Sequence, residues 1–194
     1  MSYAKSTPST RKPLRISCTS SDCDNNLHCF KKSRNMAEVE RGRCRSCGAD
    51  LIDWPRVHKR DLNDAAFVFS SLKIELVRHH FWHVPIDIKA ENHARRKGIM
   101  QLRDAAKIRL SKYLVPNNPR DGRQTPYEGN VIYYAQHALG CCCRACLEYW
   151  HGIPKKNQLS DEELEYLTNL IMKYVNEKLP NLTEEGEKVP PMRS

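Results

Sequence analysis

Residues 136–154 read QHALGCCCRACLEYWHGIP, which places four cysteines, two histidines, two aromatics and an arginine between a helix-like approach, VIYYA, and a proline stop. Soft and borderline metal ligands at this density restrict what the chain can build around them. Cys143 and Cys146 form a CxxC, with His137 six residues before it and His151 five after, enough for a closed tetrahedral zinc site of two thiolates and two imidazoles. A helical variant replaces that pair with Cys142 and Cys146, one turn apart on one face. Both ligand choices stay open. The bland alternative is that the cysteines pack as small hydrophobes, with His151 a cation at a helix C-terminus, but that leaves His137 without a role. An iron–sulfur cluster fits less well, because adjacent cysteines are poorly placed to serve it and the histidines would go unused.

Around this stretch the chain carries DGRQTP at residues 121–126, YYAQHA at 133–138, CCRAC at 142–146 and YWHGIP at 149–154. With these motifs it resembles an uncharacterised prokaryotic domain of unknown function that carries DGxQTP, AQHA, CCRxC and WHGIP, followed by an acidic-capped helix. The resemblance covers residues 86–180 and implies a shared fold and a shared site without naming a chemistry. Leu139, Gly140 and Cys141 stand where the family pattern has small hydroxyl or alanine residues, which makes Cys141 the least suited of the four cysteines to be a ligand.

A second cluster lies nearer the start. Cys44 and Cys47 form a CxxC followed at once by Gly48, the spacing of a zinc knuckle, in which the glycine permits a turn that aims backbone amides at the thiolates. The partner half is expected from Cys18 and Cys23, with His28 and Cys29 offering rival pairings. Four ligands on one zinc would supply much of the folding energy of a module of about forty residues with few large apolar side chains. Two zinc ions are therefore expected, one through Cys18, Cys23, Cys44 and Cys47, the other through His137, Cys142, Cys143, Cys146 and His151. Nine cysteines in two metal-like clusters, with no apolar leader after the first methionine, point to a reducing cytoplasm rather than a disulfide scaffold.

The expected class is mainly α: a small N-terminal zinc ribbon holding whatever strands there are, then an all-helical domain of four or five helices. The divisions are a basic arm over residues 1–15, the ribbon-like module over 16–54, the helical domain over 55–180 and a polar, frayed tail over 181–194. One helix is expected from Asp61 or Asn63 through Phe81, with Phe69, Leu72, Leu76, Val77 and Phe81 on its apolar stripe. Glu75, His79 and His83 would share one face of it, the geometry of an acid/base or metal cluster; the blander expectation leaves Arg78, His79 and His80 solvated near the helix end. The next helical stretch, residues 88–114, has an apolar face through Ile99, Leu102, Ala106, Leu110 and Leu114, and Gly98 marks a kink or break. Residues 116–130 form a loop in which Asp121 stands either as a carboxylate at the mouth of the cysteine pocket or as a plain Asp-Gly turn. Ser160 with Glu163 makes a capping box for a last helix.

The net charge of +9 at a sequence pI near 9.1 favours an anionic partner, nucleic acid and DNA foremost. A membrane is not expected, since no apolar run reaches spanning length. Arg95, Arg96, Lys97, Arg103 and Lys107 on the basic helix, with Arg123 and Arg144, are the candidate phosphate contacts, and the arm over residues 1–15 could add to them. Two functions from different classes follow. One is a zinc-containing nucleic-acid-binding protein, an accessory or recognition subunit of a prokaryotic mobile-element or defence assembly with a possible protein partner, an association that rests on the resemblance alone. The other is a metal-assisted nuclease or base-removing glycosylase using Asp121 with His79, His83 or His137. A site closed by four protein ligands supports the first, and three ligands plus water the second.

Overall fold

A computed structural model describes residues 16–33 and 35–189. The arm expected over residues 1–15 lies outside them. The described chain is helical: α1 (Trp54–Val57), α2 (Ala65–Lys73), α3 (Leu76–His83), α4 (Ile88–Tyr113), α5 (Val131–Ala138), α6 (Arg144–His151) and α7 (Asp161–Lys178). The N-terminal module is built on turns, and its extended pairing among the described residues comes down to two isolated bridges, Asp22 with Leu27 and His28 with Glu75. None of these helices is long and apolar enough to cross a membrane.

The helix expected to run unbroken to Phe81 is interrupted at Ile74–Glu75. His28 donates its N–H to the Ile74 carbonyl at 2.8 Å and accepts the Leu76 N–H at 3.0 Å, so the N-terminal chain satisfies the backbone groups the break exposes. Glu75 takes an extended conformation there and ends up fully buried. It cannot share a helix face with His79 and His83, and the expected four-residue ladder does not form.

Gly98 does break α4, with φ 67° and ψ 174°, values that only glycine adopts without strain. The amides freed by the kink are taken up from the C-terminal segment. Ile99 donates to the Thr183 carbonyl at 2.9 Å, Met100 to Glu184 at 3.2 Å, and Glu187 donates back to Arg95 at 2.9 Å. A Cβ at position 98 would lie 2.4 Å from the Glu185 carbonyl carbon. Residues 183–187, expected to fray, are thus held as a backbone clasp on α4.

Asp87 starts α4 by accepting from Ala90 N, and its other oxygen takes the Gly129 N–H and the Tyr134 hydroxyl, which pins the 115–130 loop and α5 to the same point. The Ser160–Glu163 capping box starts α7. Helix α7 packs on α4 and α5, and α5 on α3. The buried apolar side chains form one contiguous core that takes in Phe30, Ile52 and Val57 from the N-terminal part as well as Leu102, Trp150 and Tyr174. The module is therefore docked on the helical domain, and the two cysteine clusters lie against a common frame.

Candidate metal centres

The first centre gathers Cys23, His28, Cys44 and Cys47, whose ligand atoms all lie within 4.8 Å of one another. Cys23 opens a short helical turn, His28 is fixed by its bridge to Glu75, and the Cys44–Cys47 knuckle closes on Gly48 at φ 76°. The Cys23 and Cys44 sulfurs are 3.7 Å apart, and Cys47 Sγ lies 3.4 Å from His28 Nδ1. A tetrahedral zinc ion with bonds of about 2.3 Å to sulfur and about 2.0 Å to nitrogen sets these separations near 3.8 and 3.5 Å, so the donor set fits zinc. Burial works against ionising Cys44, but backbone groups at Cys29, Cys47 and Ser46 and the His28 side chain outweigh it and bring the thiol down to about 6. Cys18, expected here, is not one of the four, and His28 stands in its place. Cys29 is buried beside them and spends its thiol on the Cys18 carbonyl.

The second centre gathers Cys142, Cys143 and Cys146, all buried. Cys143 is the N-cap of α6, its sulfur accepting the Cys146 N–H at 3.4 Å, but the contacts among the three sulfurs and their burial push all three thiols above the usual thiol value. Sulfur separations of 3.6 Å (Cys142 to Cys146) and 3.2 Å (Cys143 to Cys146) bring the three within reach of a single ion, the second pair closer than the roughly 3.8 Å a tetrahedral zinc ion would set. Both alternatives read from the sequence are thereby combined, since Cys142 and the CxxC converge. Cys141 is apart from them in the apolar core, where burial above all pushes its thiol up to about 12.

Arg78 faces these sulfurs, and sequence reasoning missed it. Rather than being solvated, it is fully buried and donates to Cys146 Sγ at 3.1 Å, more distantly to Cys142 Sγ, and to the His137 carbonyl at 2.6 Å and the Tyr149 hydroxyl at 3.2 Å. Its Nε donates to Glu75 at 3.0 Å, and the Glu75 carboxylate also accepts from Phe30 N, Tyr149 Oη and Trp150 Nε1. The guanidinium draws the Cys142 and Cys146 thiols down, against the sulfur contacts and burial that push them up. The signal was position, because Arg78 lies three residues before Phe81 and four before Trp82 and so shares their apolar face.

Neither candidate histidine joins the three sulfurs. His137 donates Nε2–H to the Thr125 and Pro126 carbonyls and packs against both Phe81 and Tyr127, with ring centroids 4.6 and 4.8 Å away. His151 donates Nε2–H to the Leu139 carbonyl at 2.7 Å. Burial foremost, with Arg78 among the nearby cations, lowers both pKa values to about 4, so each is a neutral packing histidine. Asp121 does sit beside the second centre, as an anchor. It accepts from the Arg144 N–H at 2.8 Å, Lys155 Nζ at 3.0 Å and Gln124 Nε2 at 3.3 Å, and these donors outweigh burial and hold its pKa below the usual carboxylate value. His79 and His83 stack on each other with centroids 3.9 Å apart and bond the carbonyls of Lys73 and His79.

Residues 66–176 match the family model described as Domain of unknown function (DUF4186). The chain belongs to this family. No solved structure matches it. The DUF4186 region runs from α2 into α7, so it contains the second centre with Arg78 and Glu75, whereas every ligand of the first centre lies before it.

Within the DUF4186 region three cations of the basic helix are paired with carboxylates. Arg95 pairs with Glu187 at 3.0 Å, Lys107 with Glu165 at 3.5 Å, and Arg103 with Glu165 and Asn169. Arg144 is unsuited to a phosphate: it is fully buried, its guanidinium given to the carbonyls of Leu114, Pro154, Lys155 and Asn157. Arg96 and Arg123 remain exposed and Lys97 half-buried.

Proposed function

We propose that this protein binds nucleic acid through its N-terminal part, with zinc at the first centre holding the binding surface in shape and the DUF4186 domain serving as the platform it is docked on. The observation that carries this is where the charge lies. Residues 1–45 contain ten Lys or Arg against four Asp or Glu, six of the nine net positive charges, while Arg95, Arg103 and Lys107 of α4 are spent on carboxylates of α7 and residue 187. Within the described residues Lys32, Arg41, Arg43 and Arg45 are exposed around the knuckle, Arg41 beside Glu38 and Arg43 beside Asp50, while Lys32 and Arg45 have no carboxylate against them among the described residues. With no base-reading motif in view, the contact is electrostatic, salt-dependent and indifferent to sequence. A role as an accessory subunit of a larger prokaryotic assembly is compatible with this and rests on the resemblance alone.

Fluorescence anisotropy on labelled DNA and RNA oligomers tests the proposal. Affinity is expected to fall about tenfold or more between 50 and 200 mM salt, and Lys32→Glu with Arg45→Glu should weaken it on every sequence while zinc content stays unchanged. Charge reversal at Arg96 and Lys97 should matter less. An affinity flat across that salt range sinks the proposal.

One observation favours the enzymatic alternative. The three sulfurs of the second centre leave a fourth position on a tetrahedral ion, the place that water takes in a catalytic zinc site. Against it, Asp121, His79 and His83 have separate hydrogen-bond partners and form no shared acid/base cluster.

A further inference from the structure

We infer that the three sulfurs of the second centre form a site for trivalent arsenic, which binds as a neutral pyramid of three sulfur bonds with its lone pair standing where a fourth ligand would be. The inference is independent of nucleic-acid binding and concerns only what Cys142, Cys143 and Cys146 hold.

Geometry sets the first condition. With bonds of about 2.3 Å, the 3.6 Å between the Cys142 and Cys146 sulfurs and the 3.2 Å between those of Cys143 and Cys146 correspond to angles at the ion of about 103° and about 88°. Both are narrower than tetrahedral, and the third pair of sulfurs lies within 4.8 Å. A planar three-coordinate ion, or one with longer bonds, spreads its sulfurs further apart, whereas a lone pair on the ion compresses the angles between its bonds. The donor number agrees, since no fourth Cys, His, Asp or Glu joins the cluster among the described residues. Contacts that owe nothing to an ion hold the sulfurs in this arrangement. Cys143 Sγ accepts the Cys146 N–H at 3.4 Å, Arg78 donates to Cys146 Sγ at 3.1 Å, and Thr125 Oγ1 donates to the Cys142 carbonyl at 2.9 Å. Soft donors already gathered at one spot lose little freedom on binding.

Charge sets the second condition. Cys146 is fully buried and Cys142 and Cys143 are 5% exposed, while the guanidinium beside them, Arg78, is already matched by the Glu75 carboxylate. Zinc on three thiolates would leave one negative charge in this interior, which is costly unless it is paired. Arsenite, As(OH)3, leaves none. Each thiol forms one S–As bond as one As–O bond breaks, and the thiol proton departs with the hydroxyl as water, so three thiols and one arsenite give a neutral tris-thiolate and three waters. Arsenic stays trivalent throughout and no electron is transferred.

The test uses the full-length protein, reduced and loaded with zinc at the first centre, with sodium arsenite as the probe and excess glutathione as a competing monothiol. Mass spectrometry of the wild type should show one arsenic gained and three hydrogens lost. In mild denaturant, iodoacetamide should spare Cys142, Cys143 and Cys146 only when arsenite is present, with Cys141 labelled in both conditions. Cys143→Ser should hold arsenite about a hundredfold more weakly, because a chelate that loses one arm gives up effective concentration, whereas Cys141→Ala should bind as wild type does. Should Cys143→Ser fail to fold, the hydrogen count in the wild type decides alone: two hydrogens lost with a hydroxyl retained on arsenic would overturn the three-sulfur pyramid. A second zinc equivalent that arsenite cannot displace would also overturn it, leaving the three cysteines as a zinc site. If neither arsenite nor a second zinc binds, the inference is wrong and the three thiols are packing alone.

Discussion

Arg78 and Glu75 form an ion pair with 0% of either side chain exposed, and every oxygen and nitrogen they present has a role. Removing one partner of such a pair strands the other charge in the interior, which typically costs about 3–5 kcal/mol. Arg78→Met should lower unfolding stability in urea by that order, and adding Glu75→Gln should recover part of the loss; an unchanged midpoint in the single variant would mean that Glu75 finds water. His151 gives the pH dependence. Unfolded, its pKa is about 6.5, whereas the folded value is lowered to about 4, so on acidification the unfolded chain takes up the proton first. Its contribution is complete above pH 6.5 and is lost as pH falls towards 4, roughly 3 kcal/mol in all. His137 should add a loss of the same sign over the same window. His151→Gln, which keeps a donor for the Leu139 carbonyl, should therefore lose less stability than wild type between pH 7 and 4.5, with any acid release of zinc common to both. These residues were only half legible in the sequence. The CxxCG knuckle and the Cys142–Cys146 cluster could be found from local spacing, whereas His28 beside the knuckle thiols and Arg78 as a buried donor depend on which segments meet, which spacing does not encode.

At the scale of elements, the two departures from a regular helix have the same cause. Each break exposes backbone groups, and each is filled by a distant segment: His28 at the α2–α3 junction and residues 183–184 at the α4 kink. Gly98 was visible in the sequence as a probable discontinuity by residue type alone, and so was the Ser160 cap, because both depend on local chemistry. The helix break at Glu75 was invisible, since FVFSSLKIELV has helical periodicity and only the incoming His28 strand makes the extended conformation favourable. Gly98→Ala should cost about 2–3 kcal/mol, from a positive φ and from collision with the 184–185 backbone. Hydrogen exchange should then show the Ile99 and Met100 amides losing protection together. If these amides exchange unchanged, the clasp does not depend on the glycine.

For the molecule as a whole, its helical class was readable from periodicity and capping, and its two cysteine clusters able to hold a metal from cysteine spacing, but the distribution of usable charge was not. Composition counts Arg103, Arg144 and Arg45 alike, although one is paired, one buried and one exposed. Zinc removal should act unevenly on such a chain. With a chelator, the segment around residues 16–47, which has little regular structure of its own, should become protease-sensitive, while α4 and α7 persist because their packing is apolar. Limited proteolysis with and without chelator reads this directly, and equal resistance of residues 16–47 in both conditions would show that the module stands without metal. The Glu75 carboxylate, shared among Phe30, Arg78, Tyr149 and Trp150, also fixes an order of events during synthesis. Trp150 is 75 residues further along the chain, so at 5–20 residues per second a ribosome delivers it roughly 4 to 15 s after Glu75. Throughout that interval the acid has to stay hydrated, its arginine partner cannot be sealed away, and the N-terminal segment has no finished surface on which to settle.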